Sequence, residues 1–244
     1  MYTEIRQGEY GTGDAEGAEC DLLKKLQRYE EQYPEIIKVA TFDGKPVVAI
    51  CTELMRRVHE NWQYSKEMAF VDSTGNFDRE EHRVFTVLTH SFAGALPLGI
   101  LITSTEKAER INLGLKLVRE LAGEKSFYGN NLKGPKVFMT DNSSAEKRGI
   151  SFTFPSAVLL LCIFHILQAA WRFVWKCKKV HIKSKPLVYS YIKKLVYAET
   201  PDMFAECYTT LMENEIMPKS IKTYVKRLYA YRQRWALSVI GRNI

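Results

Sequence analysis

Two aspartates stand where chemistry needs carboxylates. Asp72 closes the apolar run Met68-Ala-Phe-Val71, and Asp141 follows Val137-Phe-Met139 across Thr140. If these runs are neighbouring parallel strands, the two carboxylates meet at one sheet edge, where α/β sheets place ligands. Adjacent carboxylates repel each other and favour hard divalent cations such as Mg²⁺ or Mn²⁺. With a third acid they would hold two metals about 3.5–4 Å apart for in-line attack on a phosphodiester. The plainer alternative is a pair of loop or capping aspartates, which are common after strands.

Cys162-x2-His165 has the spacing of a metal pair, and Cys177-x3-His181 would add two more donors. A single helix from Phe164 to Lys179 would hold His165 and Cys177 about 18 Å apart at its rise per residue. That distance argues against one closed zinc site. The plain reading is a buried Cys162 with His165 hydrogen-bonded near the sheet edge.

The C-terminal third is basic. Residues 172–194 carry eight bases (Arg172, Lys176, Lys178, Lys179, Lys183, Lys185, Lys193, Lys194) and no acid. Residues 216–244 carry seven more, Lys226 and Arg227 among them, again with no acid. Residues 1–35 reverse the balance, with nine acids against four bases. Such asymmetry suits phosphate-backbone contact, with Arg172, Lys176, Lys178, Lys179, Lys183, Lys185, Lys226 and Arg227 as the DNA-facing set. The bland alternative is a group of solvated helix faces. Tyr224, Tyr229, Tyr231 and Trp235 interleave with the last of these bases. Bases of a nucleic acid could stack on them, but at helical spacing Tyr224, Tyr231 and Trp235 are expected in the core.

These residues need elements to hold them. Residues 1–17 are glycine-bearing and polar, and read as a disordered lead-in. Asp21–Tyr33 has helical spacing and stops before Pro34. Ile36–Phe42 and Pro46–Cys51 read as strands joined by a hairpin turn at Asp43-Gly44-Lys45. Thr52 caps a helix that runs through Trp62. Three strands follow at 68–71, 84–90 and 98–102, with turns at 73–76 and between Gly94 and Pro97. A helix over 103–123, a strand at 137–139, a helix capped by Ser143 and a strand at 157–161 complete the α/β part. From Phe164 the pattern is helical, with breaks near Lys185-Pro186, Thr200-Pro201 and Met217-Pro218. Three short-linked strands make an antiparallel meander, and the helical crossovers make the later strands parallel to their neighbours. The expected fold is α/β, an RNase H-like mixed five-stranded sheet with flanking helices plus an all-helical insertion. The expected division is 1–66 as an N-terminal segment, 67–175 as the core and 176–244 as the insertion.

Composition narrows the class. The chain has 244 residues, 46% apolar and 26% charged, with a net charge of +7. Those values exclude a collagen-like, coiled-coil or wholly disordered chain. Five scattered cysteines (Cys20, Cys51, Cys162, Cys177, Cys207) read as reduced intracellular thiols. The acidic N-terminus is no secretory signal. The apolar run Pro155–Trp175 is interrupted by His165, Gln168 and Arg172, and reads as a buried strand entering a packed helix, with no membrane partner.

Three ordered motifs resemble one family. Phe70-Val-Asp72-Ser-Thr-Gly-Asn76 is similar to the first-acid motif of Mutator-like element (MULE) transposases, DDE enzymes with an RNase H-like fold. Phe138-Met-Thr-Asp141-Asn-Ser-Ser-Ala-Glu-Lys147 is similar to their second-acid motif. Phe154-Pro-Ser-Ala157 followed by Leu161-Cys162-Ile-Phe-His165 resembles their CxxH signature, and Pro97–Ile102 fits the third-strand region. The resemblance covers about residues 35–244 and extends to MULE-type proteins with SWIM zinc fingers, many of them resembling host-retained transposase derivatives. It implies Asp72 and Asp141 as the first two catalytic, metal-binding acids with Mg²⁺ or Mn²⁺. It also implies DNA as partner, further copies of the chain as a second possible partner, and the nucleus as location. In the family the CxxH pair lies near the acids, so His165 would contact DNA or orient a carboxylate. The third acid, a glutamate beyond the helical insertion, has no match here. Arg232-Gln-Arg-Trp-Ala236 resembles the stretch just upstream of it, so the chain reads as truncated before that acid. No SWIM-type CxC…CxH motif is present. The implied activity is DDE-type DNA cleavage and strand transfer in the full-length ancestor, incomplete in this chain. The alternative is a non-catalytic, DNA-binding or regulatory domesticated transposase.

Overall fold

A computed structural model of the chain describes residues 15–75 and 82–236. The expected lead-in lies outside the described residues up to Asp14. Its last residues, from Ala15, belong to helix α1 (Ala15–Gln32), which ends before Pro34 as the sequence predicts. Strands β1 (Ile37–Phe42) and β2 (Lys45–Ile50) pair antiparallel around Asp43 and Gly44, at φ 52° and 71°. Two positive φ values in succession are the signature of the tight hairpin turn, which Asp-Gly tolerates.

Helix α2 (Glu53–Asn61) starts at Thr52, whose side chain accepts from the Met55 N–H. Three strands follow: β3 (Met68–Thr74), β4 (Arg83–Ser91) and β5 (Gly94–Thr103). They pair antiparallel in sequence order. Inward positions alternate, with Ala69 and Val71 on β3 and Phe85 and Val87 on β4 buried. Next come α3 (Ala108–Ala122), β6 (Val137–Thr140), α4 (Ser144–Thr153) and β7 (Val158–Leu161). Four helices complete the described chain: α5 (Ile163–Lys176), α6 (Lys185–Val196), α7 (Pro201–Glu213) and α8 (Lys219–Ala230).

The sheet is mixed and has seven strands in the order β1-β2-β5-β4-β3-β6-β7. An α/β fold with a mixed sheet is therefore what the sequence predicts, but the strand count differs. The N-terminal hairpin is not a separate segment: β2 pairs antiparallel with β5 and extends the meander by two strands. Long-range pairing of this kind leaves no local trace. The β3 strand also runs past Asp72, so Ser73 and Thr74 are strand and not turn; Asn76 lies outside the described residues. β5 begins at Gly94, and the β4–β5 turn is Phe92-Ala93. Pro97 sits inside β5 beside a bulge, where the register slips between Val87 and Leu88. A bulge is where a strand tolerates a proline.

The bulge frees the Leu98 carbonyl from the ladder, and two buried side chains take it up. His59 Nε2 lies 2.9 Å away and Cys51 Sγ 3.7 Å away. His59 Nδ1 accepts the Phe127 N–H at 3.2 Å, from a short turn (Ser126–Gly129) in which Phe127 and Tyr128 have φ near +50°.

The chain divides into two compact units. Among the described residues the first holds 15–75, 82–138 and 143–158, the second 139–142 and 159–236. In the first, α3 packs on β1, β2 and β5, and α4 packs on α3. Ile111, Leu115 and Val118 are buried there beside Val47, Ala49 and Leu101. The second has its own core. Ile166, Ala170 and Val174 repeat every four residues along α5, with Leu167 next to the first, and they meet Val188, Ile192, Phe204, Leu211, Ile221, Val225 and Trp235. The apolar run from Pro155 is, as expected, a short strand entering a packed helix. Among the described residues no helix is long and apolar enough to cross a membrane.

Candidate nucleic-acid interface

The second unit contains a cleft of about 460 Å³ whose lining includes Asp141, Asn142, Cys162, His165, Arg172, Tyr224, Arg227, Tyr231 and Trp235. Two strand ends build its floor. Asp141 follows the buried Thr140 at the end of β6, and Cys162 follows Leu161 at the end of β7. The Cys162 N–H donates to the Thr140 carbonyl at 2.8 Å. Earlier in the same strands the Val158 N–H donates to the Lys136 carbonyl, also at 2.8 Å. Both residue numbers rise together between these bonds, which is the parallel sense. Parallel strands end at the same edge, so Asp141 and Cys162 are held there side by side.

Cys162 is also the residue that opens α5. Its carbonyl accepts the first helical bond, from the Ile166 N–H at 3.1 Å. His165, Gln168, Ala169 and Arg172 then line the cleft from one face of α5. Their spacing of three and four residues puts them on one side of the helix. The facing wall comes from α8 and the turn after it. Tyr224 is stacked on Phe173 at 4.4 Å between ring centres, and burial pushes its hydroxyl up to about 12. Trp235 is fully buried and donates its indole N–H to the Leu228 carbonyl at 3.1 Å. Arg227 is exposed, as is Tyr231. Placing Tyr231 in the core is therefore corrected: it lies just beyond the helix end, where the helical spacing that predicted burial no longer holds.

The structure thus brings together Asp141, Cys162, His165, Arg172 and Arg227 among the expected site residues. Asp72 belongs to the first unit, exposed within β3 opposite Thr86, whose hydroxyl donates to the Asp72 carbonyl at 3.4 Å. Lys176, Lys178, Lys179, Lys183 and Lys226 are exposed on the second unit but do not line the cleft. Lys185 is a correction. It is only 8% exposed, and its ammonium donates to the Trp175 carbonyl at 2.5 Å, in the last turn of α5. A buried cation so engaged neutralises the negative end of a helix and is not presented to a phosphate. Asn142 and Gln168 line the cleft without having been predicted; the helical step from His165 to Arg172 was the signal for Gln168.

The donor types limit what the cleft can hold. Asp141 and Asn142 offer oxygens, which suit a hard and largely hydrated divalent cation. Cys162 and His165 are the soft donors in the lining. Cys177 Sγ instead lies 3.5 Å from Ser220 Oγ, and His181 Nδ1 accepts the Lys183 N–H at 3.3 Å. Among the described residues no three His, Cys, Asp or Glu side chains are grouped so as to hold a metal ion. Arg172 and Arg227 offer planar forks that match phosphate oxygens, and the aromatic wall offers ring faces. No protein-family model matches the sequence, and no curated protein is significantly similar to it.

Proposed function

We propose that this chain is a DNA-binding protein of the Mutator-like transposase type, with an RNase H-like fold and a cleft directed at phosphodiesters. One observation carries the reading: Asp141, the CxxH pair Cys162 and His165, and the cations Arg172 and Arg227 all line one cleft. The strand order β5-β4-β3-β6-β7, an antiparallel meander followed by strands joined through helices, supports the fold assignment. Arg172 and Arg227 would grip backbone phosphates, and Asp72 and Asp141 are the carboxylates that would bind Mg²⁺ or Mn²⁺. Such an ion would supply charge stabilisation at a phosphoryl oxygen. DDE-type cleavage and strand transfer would need a third carboxylate. Glu199, Glu206, Glu213 and Glu215 are exposed and none lines the cleft, which favours binding without chemistry in this chain. The location that fits this role is the nucleus.

The test has two parts. Fluorescence anisotropy with a labelled duplex at low salt should show binding that weakens in an Arg172→Ala/Arg227→Ala variant. No binding by the wild type would overturn the reading. Calorimetric titration with Mn²⁺ should show binding that disappears in Asp72→Asn/Asp141→Asn. Equal or absent heats in both proteins would remove the metal and leave the DNA-binding role standing.

A further inference from the structure

We propose that the indole pair Trp171–Trp175 on α5 is a stacking platform for an unpaired base of a bound single strand. This rests on the DNA-binding reading above and names the form of DNA that the surface takes.

The two rings lie one helical turn apart, with centres 5.0 Å apart and planes inclined by 24°. The inner ring, Trp175, is half-buried against the core of the second unit, and Tyr189 meets it edge-on at 6.1 Å. The outer ring, Trp171, is 44% exposed. Phe164, two turns earlier, is 65% exposed. With 3.6 residues per turn, positions 164, 168, 171 and 175 fall within about 60° of one another around the helix. Gln168 in this strip also lines the cleft, as does Arg172 beside Trp171. The aromatic strip therefore borders the cleft on the same helix.

Packing explains Trp175 but not Trp171. An indole left half in water, lying flat on a fixed one, is a stack with one layer open. Offset stacking of this kind is one of the two arrangements that aromatic rings favour. The charge around it selects the occupant. Arg172, Lys176, Lys178, Lys179 and Lys183 are exposed, and no acid occurs between residues 172 and 194. An anionic chain carrying flat rings matches both features; the base adds the third layer while its phosphates meet the ammonium groups. In an intact duplex both faces of each base are covered by neighbours, so only an unpaired base can enter the stack.

The experiment compares oligo(dT) with a dumbbell duplex, which has no free ends, in the full-length chain. Affinity and tryptophan fluorescence are measured for wild type, Trp171→Ala and Trp171→Phe. Oligo(dT) should quench the wild type. Trp171→Ala should lose roughly tenfold in oligo(dT) affinity and most of the quenching, with dumbbell binding unchanged. Trp171→Phe should keep most of the affinity. Equal effects of Trp171→Ala on both DNAs, or none on either, overturn the platform and leave the DNA-binding reading intact. Failure of the wild type to bind either DNA overturns both. Concentration-dependent self-association that Trp171→Ala abolishes would instead assign the surface to a second copy, and would also overturn the proposal.

Discussion

Protonating His59 would set a new N–H against the Phe127 N–H, because the ring already spends one nitrogen on each partner. Burial is the larger cause of its low proton affinity, and its pKa falls from 6.5 to about 4. The unfolded chain binds the proton throughout that window and the folded chain does not, so stability falls as pH drops from 6.5 towards 4. The full effect is about 3 kcal/mol. A His59→Gln variant lacks this titration. Urea unfolding at neutral pH and near pH 4 should show the wild type's advantage over the variant shrinking by that order. A constant difference would sink the assignment. At this scale the sequence was partly readable. Asp141, Cys162, His165 and Arg172 were identified from motif and charge, and they share a cleft. Lys185 was misread because a long aliphatic stem can be buried while its ammonium finds a carbonyl, and nothing in a row of lysines marks which one does so. His59 itself carried no signal, since its partners come from a bulge and a turn remote in sequence.

Elements were legible where their punctuation is local. Thr52, Ser143 and Thr200 each accept a backbone N–H from three residues on, and each was visible as a cap or a break. Proline marked the starts of α7 and α8 for the same reason: Pro201 opens the first turn of α7 and Pro218 stands at the cap of α8, where a helix interior could not take either. Strand limits were less legible, because β3 runs on beyond the residues whose apolar pattern revealed it. The packing of α4 on α3 had no sequence signal either, yet it depends on one residue. A Cβ at Gly149 would lie 2.7 Å from Ile111 Cβ and 2.9 Å from the Ala108 carbonyl. Those neighbours are a side-chain root and a backbone atom, which cannot swing away. Gly149→Ala should therefore destabilise the protein by about 1–3 kcal/mol despite alanine's better helix propensity. Denaturant unfolding measures it, and an unchanged or raised midpoint would contradict this packing.

For the whole molecule the net charge of +7 is less informative than its distribution. If backbone phosphates are the ligand, affinity must fall with salt in proportion to the number of phosphates neutralised. Removing Arg172 and Arg227 together should lower the slope of log affinity against log salt by roughly 1.5–2. An unchanged slope would mean that neither guanidinium meets a phosphate. The sequence by itself determined the composition class, the order and type of most elements, the helix starts, and the basic character of the last third. These depend on neighbours within a few residues, and the chain carries them locally. Tertiary structure alone decided that the N-terminal hairpin joins β5, that Leu98 offers a carbonyl to His59, that Lys185 turns inward and that Tyr231 stays exposed. It also decided that residues from β7, α5, α8, the turn after α8 and the segment just past β6 face one cleft. Each of these is a pairing across long stretches of chain, and its energy comes from burial and hydrogen bonds that exist only once the distant partner has arrived.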